Sequence, residues 1–283
     1  ARFVVDTGAS MTTVTESQAR ALGVAPLPER PRHVKPPWLP TDTMWVGVID
    51  ELRFGDHAVR GQRVYVMRDD AGLGDGAAGL LGVDVLSRFV IDVDSPRGAL
   101  VVRPREGFDA RGAESLWVKG LSHQNVTVRG EVLGVAEGDL IVDTGAPLDA
   151  VVHHFRMSVA HPRKRGQDVG LQWGEVEVSP DYASEVDGLR IGPFDFPAMP
   201  VFARDRERDR MGGGVALIGM GLLRHFRAAF DLGHQSLHLW PGDGYFALAR
   251  AGVEIDERDG RAIVARVAKG SASESAGVRA GDV

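Results

Sequence analysis

A chain of 283 residues, 43% hydrophobic and 25% charged, is long enough for two globular units and part of a third. Its formal net charge of −6 leaves no basic footprint for nucleic acid, and no apolar run approaches the ~18 residues of a membrane span. The absence of cysteine excludes disulfides and thiolate metal sites, and leaves the redox compartment open.

The chain opens inside an apolar, β-branched run, Phe3-Val4-Val5, which delivers Asp6-Thr7-Gly8-Ala9 into a tight turn. Thr12-Thr13-Val14-Thr15 reads as another short strand, and Glu16 to Leu22 as one or two helical turns closed by Gly23. Six prolines make residues 25–43 mostly loop. Strand patterns follow at Met44–Ile49 and Val64–Met67, around a turn at Gly55-Asp56. Gly72–Gly79 is a glycine-rich turn without the Gly-Lys-Ser/Thr ending of a phosphate loop, so it is structural. Val83–Phe89 predicts a short helix, and strands at Val90–Val93 and Ala99–Val102 close the first half.

Residues 103–113 are charged and glycine-containing, as a linker is. Strands at Leu116–Val118, Asn125–Arg129 and Glu131–Val135 then precede a second apolar run, Leu140-Ile141-Val142, ending in Asp143-Thr144-Gly145-Ala146. His153, His154 and His161 follow, with Arg163-Lys164-Arg165 behind them. Adjacent histidines alternate faces on a strand and no acidic ligand stands at helical spacing, so neither a metal site nor a cofactor is expected. Arg204–Arg210 alternates charge as a solvated loop does.

The two Asp-Thr-Gly turns lie 143 − 6 = 137 positions apart, and that offset recurs. It carries Phe54-Gly55 to Ile191-Gly192, Leu80-Leu81-Gly82 to Leu217-Ile218-Gly219, Phe89 to Phe226, Asp94 to Asp231, Leu100 to Leu237 and Pro104 to Pro241. A shared offset of this length predicts an internal duplication of lobe size, with one carboxylate from each copy. The offset maps Gly138 back to Ala1, so the first copy lacks the opening strands of the second; the expectation is that the natural protein starts earlier.

These residues resemble the aspartic proteases, retropepsin-like and pepsin-like, in which an apolar strand leads into Asp-Thr/Ser-Gly and a later apolar-apolar-Gly segment braces that loop. The resemblance runs over roughly residues 1–248, and the Ala after each Gly is the more retropepsin-like feature. It implies a mostly β fold of two similar lobes with the active site between them. The lobes are expected at 1–104 and 114–248, joined by a linker at 105–113. It implies Asp6 and Asp143 as the catalytic pair, with Thr7, Gly8, Ala9, Thr144, Gly145 and Ala146 supporting them. Leu81-Gly82 and Ile218-Gly219 become the braces. A flap closes over substrate in this family, which makes Pro36–Thr43 with Trp38 the flap candidate; a surface loop with Trp38 packed on its own lobe is the alternative. Residues 252–283 carry Ile263-Val264-Ala265-Arg266-Val267, Gly270-Ser271-Ala272 and Ala276-Gly277-Val278-Arg279-Ala280-Gly281-Asp282. That stretch resembles the first half of a bacterial protease-associated PDZ domain, which implies capture of a peptide terminus. The implied substrate is a peptide or protein, and the implied location a bacterial envelope or periplasm.

Two buried carboxylates within hydrogen-bonding range cannot both ionise cheaply, so they share a proton; the aspartic-protease dyad is the established instance. The ionised partner then serves as general base on a water and the protonated partner as acid toward a carbonyl. Ala9 and Ala146 lack the hydroxyl that would favour the charged form, so the pair should titrate high. Pro147, where the first copy has Ser10, is a departure from symmetry expected to alter the second loop's hydrogen bonds. Two other readings compete: a non-catalytic peptide-binding sensor or adaptor with the same cleft, and a haloacid-dehalogenase-type phosphotransferase drawn on Asp92-Val93-Asp94. The second lacks a repeated pair, since Asp92 maps to Ala229, and lacks a downstream lysine motif.

Overall fold

The computed structural model describes residues 1–27, 44–69, 73, 76–119, 126–153, 168–173, 176–204, 214–258, 260–268 and 271–283. The fold is mostly β, as expected, with helices confined to short pieces between strands.

A six-stranded sheet holds the first Asp loop. Its order is Phe3–Val5, Gly79–Leu81, Thr13–Thr15, His57–Met67, Trp45–Phe54 and Ala25–Pro26. Phe3–Val5 pairs in parallel with Gly79–Leu81, which sets the brace beside the strand that carries Asp6. The helix Glu16–Ala21 starts where the Thr15 hydroxyl accepts from the Gln18 N–H, and ends near Gly23 at φ 65°. The hairpin around Gly55-Asp56 is longer than its apolar pattern indicates, with Glu51, Arg53 and Arg60 all within paired strand. Gly61, at φ 60°, is the cause: Val64 and Val66 are buried on one side of it and Val59 on the other, out of step with strict alternation.

A nine-stranded sheet holds the second Asp loop. Here Ala136–Val142 pairs in parallel with Ala216–Ile218, and Val142 faces Ile218 as Val5 faces Leu81. The separate strands expected at Asn125–Arg129 and Glu131–Val135 are instead one strand, Thr127–Val132, followed by a turn at Gly134 with φ 74°. Gly130 is a packing residue within the strand, not a break. A Cβ there would stand 2.3 Å from Leu140 Cδ1 and 2.5 Å from the Arg190 carbonyl oxygen.

The third sheet departs furthest from expectation. Val90–Asp94 and Ala99–Arg103 do not close the first half alone. They continue into Phe226–Asp231, Ser236–Pro241 and Glu114–Trp117, giving one five-stranded sheet. The central pairing is antiparallel, with Asp92 opposite Ala229, and 229 − 92 is again 137. Asp92 is buried at this junction, where Arg227 binds both its oxygens at 2.9 and 2.8 Å and Arg103 Nε donates to it at 3.1 Å. Burial works against its charge, but these guanidinium bonds prevail and hold the carboxyl below its usual range. Asp94 accepts from Arg97 at 2.9 Å in the following turn. Both carboxylates of the Asp-Val-Asp strand are therefore structural, which removes the phosphotransferase reading.

Phe194, Phe196, Phe226 and Tyr245 pack ring to ring beneath the second and third sheets. The chain then passes through a π-helical turn, Ala247–Ala251, into a two-stranded hairpin, Val253–Arg258 and Arg261–Val267. A short helix, Ala272–Ser275, follows, its Glu274 N–H donating to the Ser271 hydroxyl at 3.2 Å. Among the described residues, no helix is long and apolar enough to cross a membrane.

Candidate active site

Each aspartate leaves its strand on a last ladder bond. Asp6 N–H donates to the Leu81 carbonyl at 3.0 Å, and Asp143 N–H to the Ile218 carbonyl at 2.9 Å. The chain then turns back on itself, so that backbone amides face the carboxylate. Asp6 Oδ1 accepts from Gly8 N–H at 2.8 Å and Ala9 N–H at 3.0 Å, and Asp143 Oδ1 accepts from Gly145 N–H at 2.8 Å. The Pro147 departure disturbs none of this: Ala146 N–H reaches the Asp143 carbonyl at 3.3 Å, the distance found for Ala9 and Asp6.

The two loops face each other. A Cβ on Gly8 would stand 2.4 Å from the carboxyl carbon of Asp143, and one on Gly145 2.6 Å from that of Asp6. Each glycine is thus the floor beneath the opposite carboxylate, and any side chain there would displace it. The threonines tie the loops together. Thr7 Oγ1 donates to the Val142 carbonyl at 2.7 Å and accepts from Thr144 N–H at 3.0 Å. Reciprocally, Thr144 Oγ1 donates to Val5 at 2.6 Å and accepts from Thr7 N–H at 3.0 Å. Replacing the fully buried Thr7 by Val strands the Val142 carbonyl and the Thr144 N–H. We expect a loss of about 2–4 kcal/mol in chemical denaturation; a loss within the scatter of surface substitutions would show that the lock carries no stability.

The braces hold the loops from behind. Val83 N–H donates to the Ala9 carbonyl at 2.8 Å, and Met220 N–H to the Ala146 carbonyl at 2.7 Å. Gly82 and Gly219 permit this approach: a Cβ at Gly82 would meet the Met11 carbonyl carbon at 2.5 Å, and one at Gly219 the Leu148 oxygen at 2.4 Å.

Both carboxylates are buried and hydrogen-bonded to each other. Burial first, and the negative charge of Asp6 second, push the Asp143 carboxyl up to about 8. Burial also raises Asp6, against the bonds it accepts from Asp143, Gly8 and Ala9. Because the loops match so closely, the proton and its titration belong to the pair.

Sequence reasoning missed a polar network behind the first loop. Asp84, raised by burial, accepts from both the backbone and the hydroxyl of Thr12 at 2.8 Å, and from Gln62 Nε2 at 2.7 Å. The signal available was an acidic residue just after the Gly82 brace. Of the other expected positions, Trp38 lies outside the described residues, as do His154 and His161. Among the described residues, no group of three or more His, Asp or Glu side chains could hold a metal ion.

Residues 1–85 match the family model described as aspartyl protease. The matched stretch contains the first Asp loop and its brace, and it supports a protease, hence a hydrolase, at family level. No curated protein matches the chain.

Proposed function

We propose that this chain is an aspartic endopeptidase built from two lobes of one duplicated unit, with Asp6 and Asp143 as its catalytic pair. The observation that carries the reading is the contact between two buried carboxylates, each seated over the other loop's glycine. Asp92 opposite Ala229 and Thr7 opposite Thr144 support the duplication, since both pairs sit at the 137 offset. A pair holding one proton supplies both halves of an acid–base hydrolysis. The ionised carboxylate takes a proton from water as it attacks the peptide carbonyl, and the protonated one donates to the carbonyl oxygen. The tetrahedral intermediate then collapses, with protonation of the leaving amine, and no covalent enzyme intermediate is involved. The hairpin and helix of residues 252–283 serve in this reading as part of a PDZ-like peptide-capturing module, in a bacterial envelope protein.

The test is digestion of a mixed peptide library between pH 3 and 8, with products identified by mass spectrometry. Internal cleavage supports the endopeptidase. Peptides that bind and emerge intact would overturn it in favour of the adaptor reading.

A further inference from the structure

The two loops are braced by different chemistry. Behind the first loop, Thr12 on the loop bonds Asp84 on the brace helix Val83–Leu86, which Gln62 also binds, and Gly82 N–H donates to Thr12 Oγ1 at 3.1 Å. At the 137 offset these positions become Asp149 and Gly221, so the carboxylate has moved from the helix to the loop. Gly221 makes room for it: a Cβ there would stand 2.2 Å from Asp149 Oδ1. The backbone zips here, with Gly219 N–H donating to the Asp149 carbonyl and Gly221 N–H to the Leu148 carbonyl, both at 3.0 Å. The Asp149 carboxylate is consequently left to find a partner elsewhere.

That partner comes from the C-terminal hairpin. Arg266 Nη2 stands 3.6 Å from Asp149 Oδ2, and Arg266 Nε donates to Glu254 on the neighbouring strand at 2.9 Å. Glu254 also pairs with Arg224, directly after the helix Met220–Leu223 of the second brace. Arg224 in turn lies 3.9 Å from Asp256. His225 completes the charged surroundings and is held neutral, pushed down to about 4 by burial and by Arg224 and Arg266. A cavity of about 600 Å³ opens between Pro147, Leu148, Met220 and this cluster. Arg266 Nη1 is buried beside these groups without a hydrogen-bond partner among the described residues, which costs free energy where it sits.

The geometry points to Arg266 as a positioning residue for the second aspartate, acting through Asp149, so that the C-terminal hairpin completes the brace which Asp84 and Gln62 supply behind the first loop. This rests on the peptidase reading above. The chemistry is that of a partly buried ion pair holding a loop: Arg266, itself held by Glu254, fixes where Asp149 sits, and Asp149 is six positions along the loop from Asp143. A small displacement of a reacting group is enough to cost orders of magnitude in rate.

The test uses the whole chain with Arg266→Met, Arg266→Lys, Asp149→Asn and the Met/Asn double variant. Arg266→Met should lower kcat by roughly 10- to 100-fold with little change in KM, and Arg266→Lys should recover most of it. Asp149→Asn should resemble Arg266→Met, and the double variant should be no worse than either, because the two act as one unit. An unchanged kcat in Arg266→Met, an additive double variant, or a loss matched by the unfolded fraction in thermal melting would overturn the proposal. If Arg266→Met fails to fold, Arg266→Lys and Asp149→Asn still decide. If the wild type cleaves nothing, the peptidase reading fails separately. The carboxyl titration of Asp143, followed by carbon NMR, then replaces kcat: a shift in the variants supports the coupling, and an unmoved curve overturns it.

Discussion

Asp143→Asn is expected to abolish peptide turnover, by at least about 10⁴-fold, and to leave the fold intact. The magnitude is that of removing one member of a catalytic unit whose groups act together. Asn retains the shape and one oxygen to accept the Gly145 N–H bond, now 2.8 Å, so the loop keeps its conformation. What it cannot do is exchange a proton, and the pair loses its acid or its base. Asp6→Asn is expected to cost the same, and the double variant no more. Peptides should still bind. Steady-state kinetics on a library-derived peptide checks this, and activity within a hundredfold of wild type would mean that the second loop is not catalytic.

The second large effect is on pH dependence, and its sign follows from burial. The Asp143 carboxyl is raised from 3.8 in the unfolded chain to about 8, so its contribution to stability is full below about 3.8 and is lost as pH rises through 8. Asp6 is raised as well and acts in the same direction, as is Asp84. Wild type should therefore lose thermal stability from mild acid to neutrality, and Asp143→Asn should flatten much of that loss. Asp92, held low by Arg227 and Arg103 against its burial, acts oppositely: its contribution is present above its unfolded value and fades as pH falls. Turnover needs one proton on the pair, so the rate should peak between mild acid and neutrality and fall toward pH 8 and above. Ala9 and Ala146 offer no hydroxyl to favour the doubly charged form. A rate maximum at pH 2–3, or melting curves for wild type and Asp143→Asn that run parallel across pH 4–8, would refute the account.

The exchange of bracing chemistry between the loops bears on both results. If the second aspartate depends on Arg266, then whatever engages the hairpin of Val253–Arg258 and Arg261–Val267 acts on kcat without touching the cleft. A peptide added along an edge of that hairpin is the kind of ligand that would do so.

What the sequence determined by itself is the local apparatus. Apolar β-branched residues before Asp-Thr-Gly, and an apolar-apolar-Gly segment at the same offset, specify strand, turn and brace, because each needs a backbone geometry that few residue types allow. Gly8, Gly82, Gly145 and Gly219 all sit where a Cβ would collide within 2.6 Å of a neighbour, so their presence was readable as a requirement. Only the tertiary structure decided what depends on partners distant in the chain. Val90–Asp94 crosses to pair with Phe226–Asp231, because burying Val90 and Ile91 and neutralising Asp92 takes groups from both halves. Gly130 reads as a break in sequence and is a contact with Leu140 in the fold. Asp149 and Arg266, 117 positions apart by 266 − 149, carry no shared local pattern. A strand or a turn is specified by its own residues, whereas an ion pair across a packed interface exists only once both surfaces have been brought together.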